Sequence, residues 1–157
     1  MDSCDMDFLG EAITVARSSR EHGNHPFGAI LVDDSRHEVL RAENTVTTGR
    51  DVTAHAEANL VRLAWRTFTP EQLAGFTLYA STEPCAMCSG AIHWSRIGRV
   101  VYALSEEDLY VIVGSSPENL HLPCREVFAR SVPSVQVEGP CPELDREARA
   151  VHAGFWR

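Results

Sequence analysis

Two short segments of the sequence contain the residue types that bind zinc in proteins. The first, "HAE", places Glu57 two positions after His55, and the second, "PCAMC", contains Cys85 and Cys88. Imidazole nitrogen and thiolate sulfur are favoured zinc ligands, and a catalytic site uses three of them and leaves the fourth position for water. The pattern therefore predicts a catalytic Zn²⁺ centre held by one imidazole and two thiolates. The nearby carboxylate of Glu57 stays free for proton transfer.

Other uses of these residues lead to different expectations. A Cys-x-x-C pair alone is also typical of a thiol redox site, but that site does not require a neighbouring His-x-Glu. A closed structural zinc site needs a fourth ligand, and Cys4, His93 and Cys124 are the available candidates. None of them has the close spacing that structural zinc sites usually show, so the catalytic interpretation is favoured.

Hydrophobic periodicity predicts the elements that must position these residues. Short apolar runs indicate strands at 27–32, 38–44, 76–81, 98–104 and 134–139, the first two forming a hairpin. Amphipathic patterns and prolines indicate helices over 6–21, over 54–67, from Pro84 to Trp94 and from Pro142 onward, the last with Leu144, Ala148, Val151 and Phe155 on one face. The acidic segment and loop between 105 and 123 have no predicted element. Strands that alternate with helices indicate an α/β fold, and the hairpin makes its sheet mixed.

Length and charge narrow the function classes. The 157 residues suit one domain over 1–157, and no apolar run is long enough for a membrane span. The net charge is -8 and all 14 basic residues are arginine, which disfavours long nucleic acid as a partner. The acidic N-terminus does not resemble a signal peptide, and five cysteines are an odd number for a disulfide framework. We therefore expect a cytoplasmic protein.

The order "HAE", strand, "PCAMC" resembles the zinc-dependent cytidine and nucleobase deaminases, whose pattern is H-x-E…P-C-x-x-C. The resemblance covers roughly residues 8–105. It implies a three-layer α/β/α sandwich with a five-stranded mixed sheet. It also implies hydrolytic deamination, with Zn²⁺ on His55, Cys85 and Cys88 and with Glu57 as the acid and base.

Further residues are similar to the guanine deaminase-like branch of this family, which acts on free bases. "HPFGAILVD" and "GAIHWSR" carry this likeness. It implies four substrate-binding residues: Phe27, Asn44, Ala56 and Trp94. It also implies a C-terminal aromatic lid, formed by Phe155 or Trp156, over the site of the same chain or of a second subunit. Enzymes of this branch are commonly homodimers.

One departure from that branch leaves the substrate open. Its members carry a Phe-Asp-Asp/Glu segment after the fourth strand whose acid carries a second proton, and this chain has no clear match. Four acids are candidates for the role: Glu106, Glu107, Asp108 and Glu118. The resemblance is therefore consistent with guanine, isoguanine, cytosine or an aminated s-triazine as the small-molecule substrate. Deamination of adenosine in tRNA, deamination of a nucleoside such as cytidine or guanosine, and a non-catalytic zinc-stabilised binding module are the alternatives.

Overall fold

A mixed sheet of five strands is the centre of the fold. The computed structural model describes residues 1–114, 116 and 119–156. The strands are β1 Gly28–Val32, β2 Glu38–Glu43, β3 Thr77–Thr82, β4 Arg99–Leu104 and β5 Gln136–Glu138. They lie in the order β2-β1-β3-β4-β5. β1 is antiparallel to both β2 and β3, whereas β3, β4 and β5 are mutually parallel. The predicted five-stranded mixed sheet is confirmed.

Helices cover both faces of this sheet. They are α1 Ser3–Glu21, α2 Val46–Gly49, α3 Ala56–Thr67, α4 Pro70–Leu73, α5 Ala86–Ser95, α6 Glu106–Val113, α7 Cys124–Phe128 and α8 Asp145–Ala150, with a 3₁₀ turn at Pro142–Leu144. Because side chains alternate along a strand, Ile30 packs with α1 and α8, while Leu31 packs with α3 and α5. This arrangement is the predicted three-layer sandwich. In the described ranges, no helix has the length and apolar character needed to cross a bilayer.

The first helix lies unusually close to the first strand at Gly28. A Cβ atom there would stand 2.4 Å from the amide nitrogen of Ala16 and 2.5 Å from the carbonyl oxygen of Ala12. Only glycine allows this separation, so Gly28 sets how near α1 approaches the start of β1. Phe27, directly before it, packs against the hydrophobic clusters on both faces of the sheet.

The segment predicted as an acidic stretch and loop contains a helix, α6. The Ser105 side chain accepts a hydrogen bond from the Asp108 amide at 3.1 Å and caps the helix. Three acids in the first turn complement the positive end of the helix dipole. The prediction of a structureless segment was wrong there, because these acids are helix-start signals as well as loop residues.

The last helix is shorter than predicted. It ends at Ala150, so Phe155 does not share its apolar face. Arg20 on α1 binds this end of the helix, since its guanidinium donates to the carbonyl oxygen of Val151 at 2.8 Å. That bond supplies a partner for a carbonyl at the end of the helix. The chain then continues as turns toward Trp156.

Candidate active site

Two helix starts bring the predicted ligands together. His55 is the N-cap residue of α3 and Cys85 is the N-cap residue of α5, each with extended backbone. Cys88 lies in the first turn of α5, one turn beyond Cys85. The helix was predicted to begin at Pro84, but it begins at Ala86, so Cys85 is its N-cap residue rather than a residue of its first turn. The helix start still faces both sulfurs toward the imidazole.

The ligand atoms have the separations that zinc requires. The Cys85 sulfur stands 3.6 Å from Nδ1 of His55, and the ligand atoms of His55, Cys85 and Cys88 all lie within 4.8 Å of one another. Zinc bonds of about 2.3 Å to sulfur and about 2.1 Å to nitrogen, at a tetrahedral angle, would place two ligands about 3.6 Å apart. The hydrogen bond from Cys88, together with His55, lowers the pKa of Cys85 to about 4. The donor set therefore fits Zn²⁺.

A closed site with four protein ligands is not formed by the described residues. Among them, the His, Cys, Asp and Glu side chains close enough to share an ion are the three ligands alone. Cys4 is exposed on α1, and Cys124 is buried at the start of α7. His93 lies on α5 beyond the metal end of the helix. The three-ligand arrangement predicted from the sequence is the one that the structure contains.

Glu57 lies in the first turn of α3 and is 6% exposed. Burial, reinforced by the negative charge of Cys85, raises the pKa of this carboxyl to about 7. A carboxyl with a pKa near neutrality can both accept and release a proton. Glu57 is close to the ligands without belonging to their group. Its role as a proton carrier at the metal stays a prediction.

Asn44 and Phe27 are neighbours at the edge of the site. The backbone amide of Asn44 donates to the carbonyl oxygen of Phe27 at 3.1 Å. The backbone amide of Thr45 donates at 2.9 Å to the carbonyl oxygen of Ala54, which precedes His55. The Asn44 side chain is fully buried, and its Oδ1 accepts from the amide of Val46. Its Nδ2 has no hydrogen-bond partner in the described part of the chain. A buried amide with an unused donor is well suited to bind a polar ligand.

Ala56 and Trp94 occupy contrasting positions. Ala56 is fully buried as the first residue of α3, where amide groups have no partner within the helix. Trp94 is 78% exposed on α5, and its ring contacts His93 with centroids 5.0 Å apart. Trp94 can line a substrate pocket only if another surface covers it. Both assignments to the substrate stay predictions.

Aromatic residues near the C-terminus pack against the Phe27 side of the site. Trp156 lies 5.3 Å from the His25 ring and 6.0 Å from the Phe27 ring, and Phe155 lies 5.9 Å from His25. The Trp156 indole donates to Nδ1 of His152 at 3.2 Å. The structure thus brings both predicted lid residues to the Phe27 side of their own chain.

Two histidines of this aromatic cluster were missed by sequence reasoning. Burial, with a smaller contribution from the charge of His55, lowers the pKa of His25. His152 is 1% exposed and packs 5.3 Å from the Phe27 ring. In the sequence, "HGNHP" reads as a helix-breaking loop, and His152 has no motif partner. Their role depends on packing between distant segments, which spacing does not encode.

The acids after β4 that are candidates for a second proton carrier lie in different environments. Glu106 is 5% exposed and accepts a hydrogen bond from the Tyr110 hydroxyl at 3.1 Å. Burial is the main cause that raises its pKa to about 7, and the charges of Glu83 and Cys85 add to it. Glu107 is exposed, and Asp108 binds Arg149 at 2.6 Å. Glu118 lies outside the described residues.

Glu106 also lines a cavity of about 740 Å³ next to α6. Other lining residues are Glu83, Tyr102, Tyr110, His121 and Arg125. The Glu83 carboxylate spans the wall, because it accepts from the amide of Glu106 at 3.0 Å and from the amide of Cys124 at 2.9 Å. Glu83 precedes the metal cysteine by two residues. The cavity therefore lies beside the metal end of α5.

The site combines three zinc ligands with a buried carboxylate that is not a ligand, and it lies on this sheet topology. This combination defines a class of hydrolases that remove amino groups from cyclic amidines. Residues 2–104 match the family described as the cytidine and deoxycytidylate deaminase zinc-binding region. The chain belongs to this family of zinc-dependent deaminases.

Individual relatives have different activities in their names. The chain is 43% identical over 154 residues to the "Probable cytosine deaminase" of Schizosaccharomyces pombe, which covers 97% of this chain and 92% of that protein. It is 42% identical over 102 residues to the guanine deaminase of Bacillus subtilis, across 64% of this chain and 65% of that protein. A solved structure from a study of A-to-I editing by tRNA:A34 deaminases is 32% identical. It matches with a TM-score of 0.67 over 93% of this chain and 99% of that one.

Proposed function

We propose that the protein is a hydrolytic deaminase of a small free base, with cytosine as the first candidate. The observation that carries this proposal is the pairing of Glu57 beside the three ligands with the unused amide donor of Asn44. The relative named a probable cytosine deaminase, which aligns over nearly the whole chain, supports cytosine in particular. Guanine, isoguanine and aminated s-triazines are the other bases to be tested.

The proposed chemistry depends on proton transfers by Glu57. When bound, zinc supplies a Lewis acid that activates a water molecule for attack. Glu57 accepts one proton from the attacking water and delivers it to the ring nitrogen; it then takes the second proton from the new hydroxyl group on the ring carbon and delivers it to the departing amine. Ammonia leaves, and a carbonyl group replaces the amino group on the ring. The Asn44 amide holds the base in place through a polar atom of its edge.

Glu106 is the candidate for a second proton carrier. It is the buried acid among the described candidates after β4, its environment favours proton exchange near neutral pH, and it faces the cavity beside the metal end of α5. We expect Glu106→Gln to lower kcat, whereas the neighbouring exposed change Glu107→Gln leaves it unaltered. Equal rates for both variants would remove Glu106 from the mechanism.

A homodimer is part of the proposal. Met87 and Trp94 lie seven residues apart on α5, so they share one face of the helix, and they are 40% and 78% exposed. A second copy of the chain over this face would bury Trp94, and would bring it to a position from which it can line a pocket. Large exposed aromatic side chains are common at such interfaces.

Deamination of adenosine in tRNA is the second candidate function, favoured by the 40% identity over 99 residues to the enzyme of that name from Agrobacterium fabrum. The net charge of -8 disfavours binding to long RNA. A gel shift with tRNA measures this alternative directly.

Ammonia release by the zinc-loaded protein tests the proposed function. The panel consists of cytosine, guanine, isoguanine, adenine, ammeline, cytidine, guanosine and tRNA, with Glu57→Ala as the inactive control. We expect release from a free base, with cytosine fastest. Release from nucleosides or tRNA alone would reject a free-base enzyme, and zinc binding without release from any compound would indicate a binding module.

A further inference from the structure

Two buried N–H donors lack partners on the Phe27 side of the site. In the described part of the chain, the unpartnered buried side-chain nitrogens are Nδ2 of Asn44 and Nε2 of His152. Asn44 is 0% exposed and His152 is 1% exposed, so water does not reach either group freely. Buried polar groups in native proteins are nearly always hydrogen-bonded, and an exception calls for a ligand or another explanation.

Both donors adjoin Phe27. Asn44 contacts Phe27 through the backbone bond of 3.1 Å, and the His152 ring lies 5.3 Å from the Phe27 ring. His152 is also bonded to Trp156, whose ring lies against His25, and Thr45, next to Asn44, is bonded to Ala54, which precedes the ligand His55. The two donors therefore belong to one continuous group of residues that ends at the metal ligands.

The hydrogen bond from Trp156 decides which nitrogen of His152 carries the proton. An indole N–H is a donor only, so Nδ1 of His152 must accept it, and in the neutral ring the proton is then on Nε2. Burial, with a smaller contribution from the charge of Arg20, lowers the pKa of His152 to about 4. The ring is thus a neutral hydrogen-bond donor at physiological pH, and its donor atom is the unpartnered one.

We infer that His152 is a substrate-binding residue. Its Nε2–H and the side-chain Nδ2–H of Asn44 together donate to the acceptor edge of the base. This inference rests on the proposed function and narrows its substrate class. The Asn44 oxygen is already occupied by the amide of Val46, so both residues offer N–H groups. Two donors favour an amino-substituted heteroaromatic base that also bears a carbonyl oxygen on its ring, and disfavour a base without one.

A pair of probes isolates this contact. Cytosine and 4-aminopyrimidine carry the same amino group and differ in the ring carbonyl oxygen, which only cytosine has. Binding of both to zinc-loaded Glu57→Gln protein, measured by calorimetry, gives the preference for the oxygen without turnover. Adding His152→Phe removes the donor and keeps a flat ring. We expect the affinity for cytosine to fall by about 10-fold or more, and that for 4-aminopyrimidine to change by less than about 3-fold.

Further variants separate substrate binding from a structural role. His152→Met is a second change without a donor, in case the phenylalanine is not accommodated, whereas His152→Gln retains an N–H donor and should restore part of the preference. Trp156→Phe removes the indole bond and leaves His152 in place, so the preference for cytosine should persist. Melting temperatures establish that each variant is folded.

Two results would overturn the inference. Equal losses for both probes in the donor-free variants would mean that His152 only supports the packing, and unchanged affinities would mean that it does not face the base. In either case the proposed function stands, because the parent protein still binds cytosine. If the parent binds no base and the wild-type protein releases no ammonia, the proposed function fails and this inference fails with it.

Discussion

At the scale of single residues, Glu57 is the proposed carrier of protons at the metal site. Its carboxyl is buried beside the ligands and has a pKa near 7, although most glutamates are fully ionised at that pH. His55, Cys85 and Cys88 account for the metal binding without it. Metal binding and the proposed proton transfer therefore fall to different side chains, and a substitution can separate them.

We predict that Glu57→Gln retains zinc and loses turnover. The amide preserves the size of the side chain but does not exchange protons, so kcat should fall by about 10² to 10⁴-fold. Ammonia release and metal analysis on the same sample measure the two properties. Glu71→Gln, the same change on the exposed surface of α4, is the matched control. A rate within about 3-fold of wild type would show that Glu57 does not carry the protons.

At the scale of secondary-structure elements, the site is assembled at helix starts. The N-terminal ends of α3 and α5 supply all three ligands, and the free N–H groups at the start of α5 favour the thiolate form of Cys85. The Glu83 carboxylate extends this arrangement, because it binds the first amides of α6 and α7. The buried Glu83 side chain thus connects the segment before α5 with the walls of the neighbouring cavity.

We predict that Glu83→Ala lowers the free energy of unfolding by about 2 to 5 kcal/mol. The change leaves the amides of Glu106 and Cys124 buried without an acceptor, at a cost of about 1 to 3 kcal/mol each. Urea unfolding measures the loss, with the exposed Glu107→Ala on α6 as the control. A loss below about 0.5 kcal/mol would show that other acceptors replace the carboxylate.

At the scale of the whole molecule, a charged group fixes α1 to the sheet. Asp5 is 1% exposed, and its carboxylate accepts two hydrogen bonds of 2.9 Å from the Arg99 guanidinium. It also accepts a hydrogen bond of 2.7 Å from the Tyr79 hydroxyl. Burial acts to raise the pKa of Asp5, but the bonds from Arg99 and Tyr79 outweigh it and hold the pKa well below its ordinary value. Arg99 also binds Glu138 on β5.

The depressed pKa of Asp5 predicts how stability depends on pH. A carboxyl with a lower pKa in the folded state stabilises the protein above its unfolded value of about 3.9, and this contribution is lost as the pH falls below that value. Asp5→Asn should therefore lower the free energy of unfolding by about 3 kcal/mol at pH 7, and by less at pH 2 to 3. Urea unfolding at several pH values measures the difference.

Asp7→Asn, an exposed change on the same helix, is the control for that series. A difference between Asp5→Asn and wild type that stays constant from pH 7 to pH 2 would contradict the assignment. The loss would then come from altered packing rather than from the ionised carboxylate.

We predict that Trp94→Glu separates the proposed dimer. The charge would be placed in the centre of the apolar face that Trp94 and Met87 form on α5, and burial of an unpaired charge in an interface is unfavourable. Sedimentation velocity measures the mass, and Arg66→Glu on exposed α3 surface is the control. A wild-type protein that sediments as a monomer would refute the dimer itself.

The sequence by itself determined which residues come together at the predicted metal site. His55 and Glu57 are close because they are two residues apart at a helix start, and Cys85 and Cys88 are close because one helical turn separates them. Alternating and helical periodicity likewise indicated all five strands and the long helices. These features depend on short-range spacing, which a sequence states directly.

Only the tertiary structure decided which residues surround that metal site. The environment of Glu106 depends on α6, which forms where the acidic sequence also suits a loop. The contacts among Phe27, His152 and Trp156 join the beginning of β1 to the turns after α8. No spacing rule relates such distant segments, because their separation in space is set by how α1 and the last turns pack on the sheet.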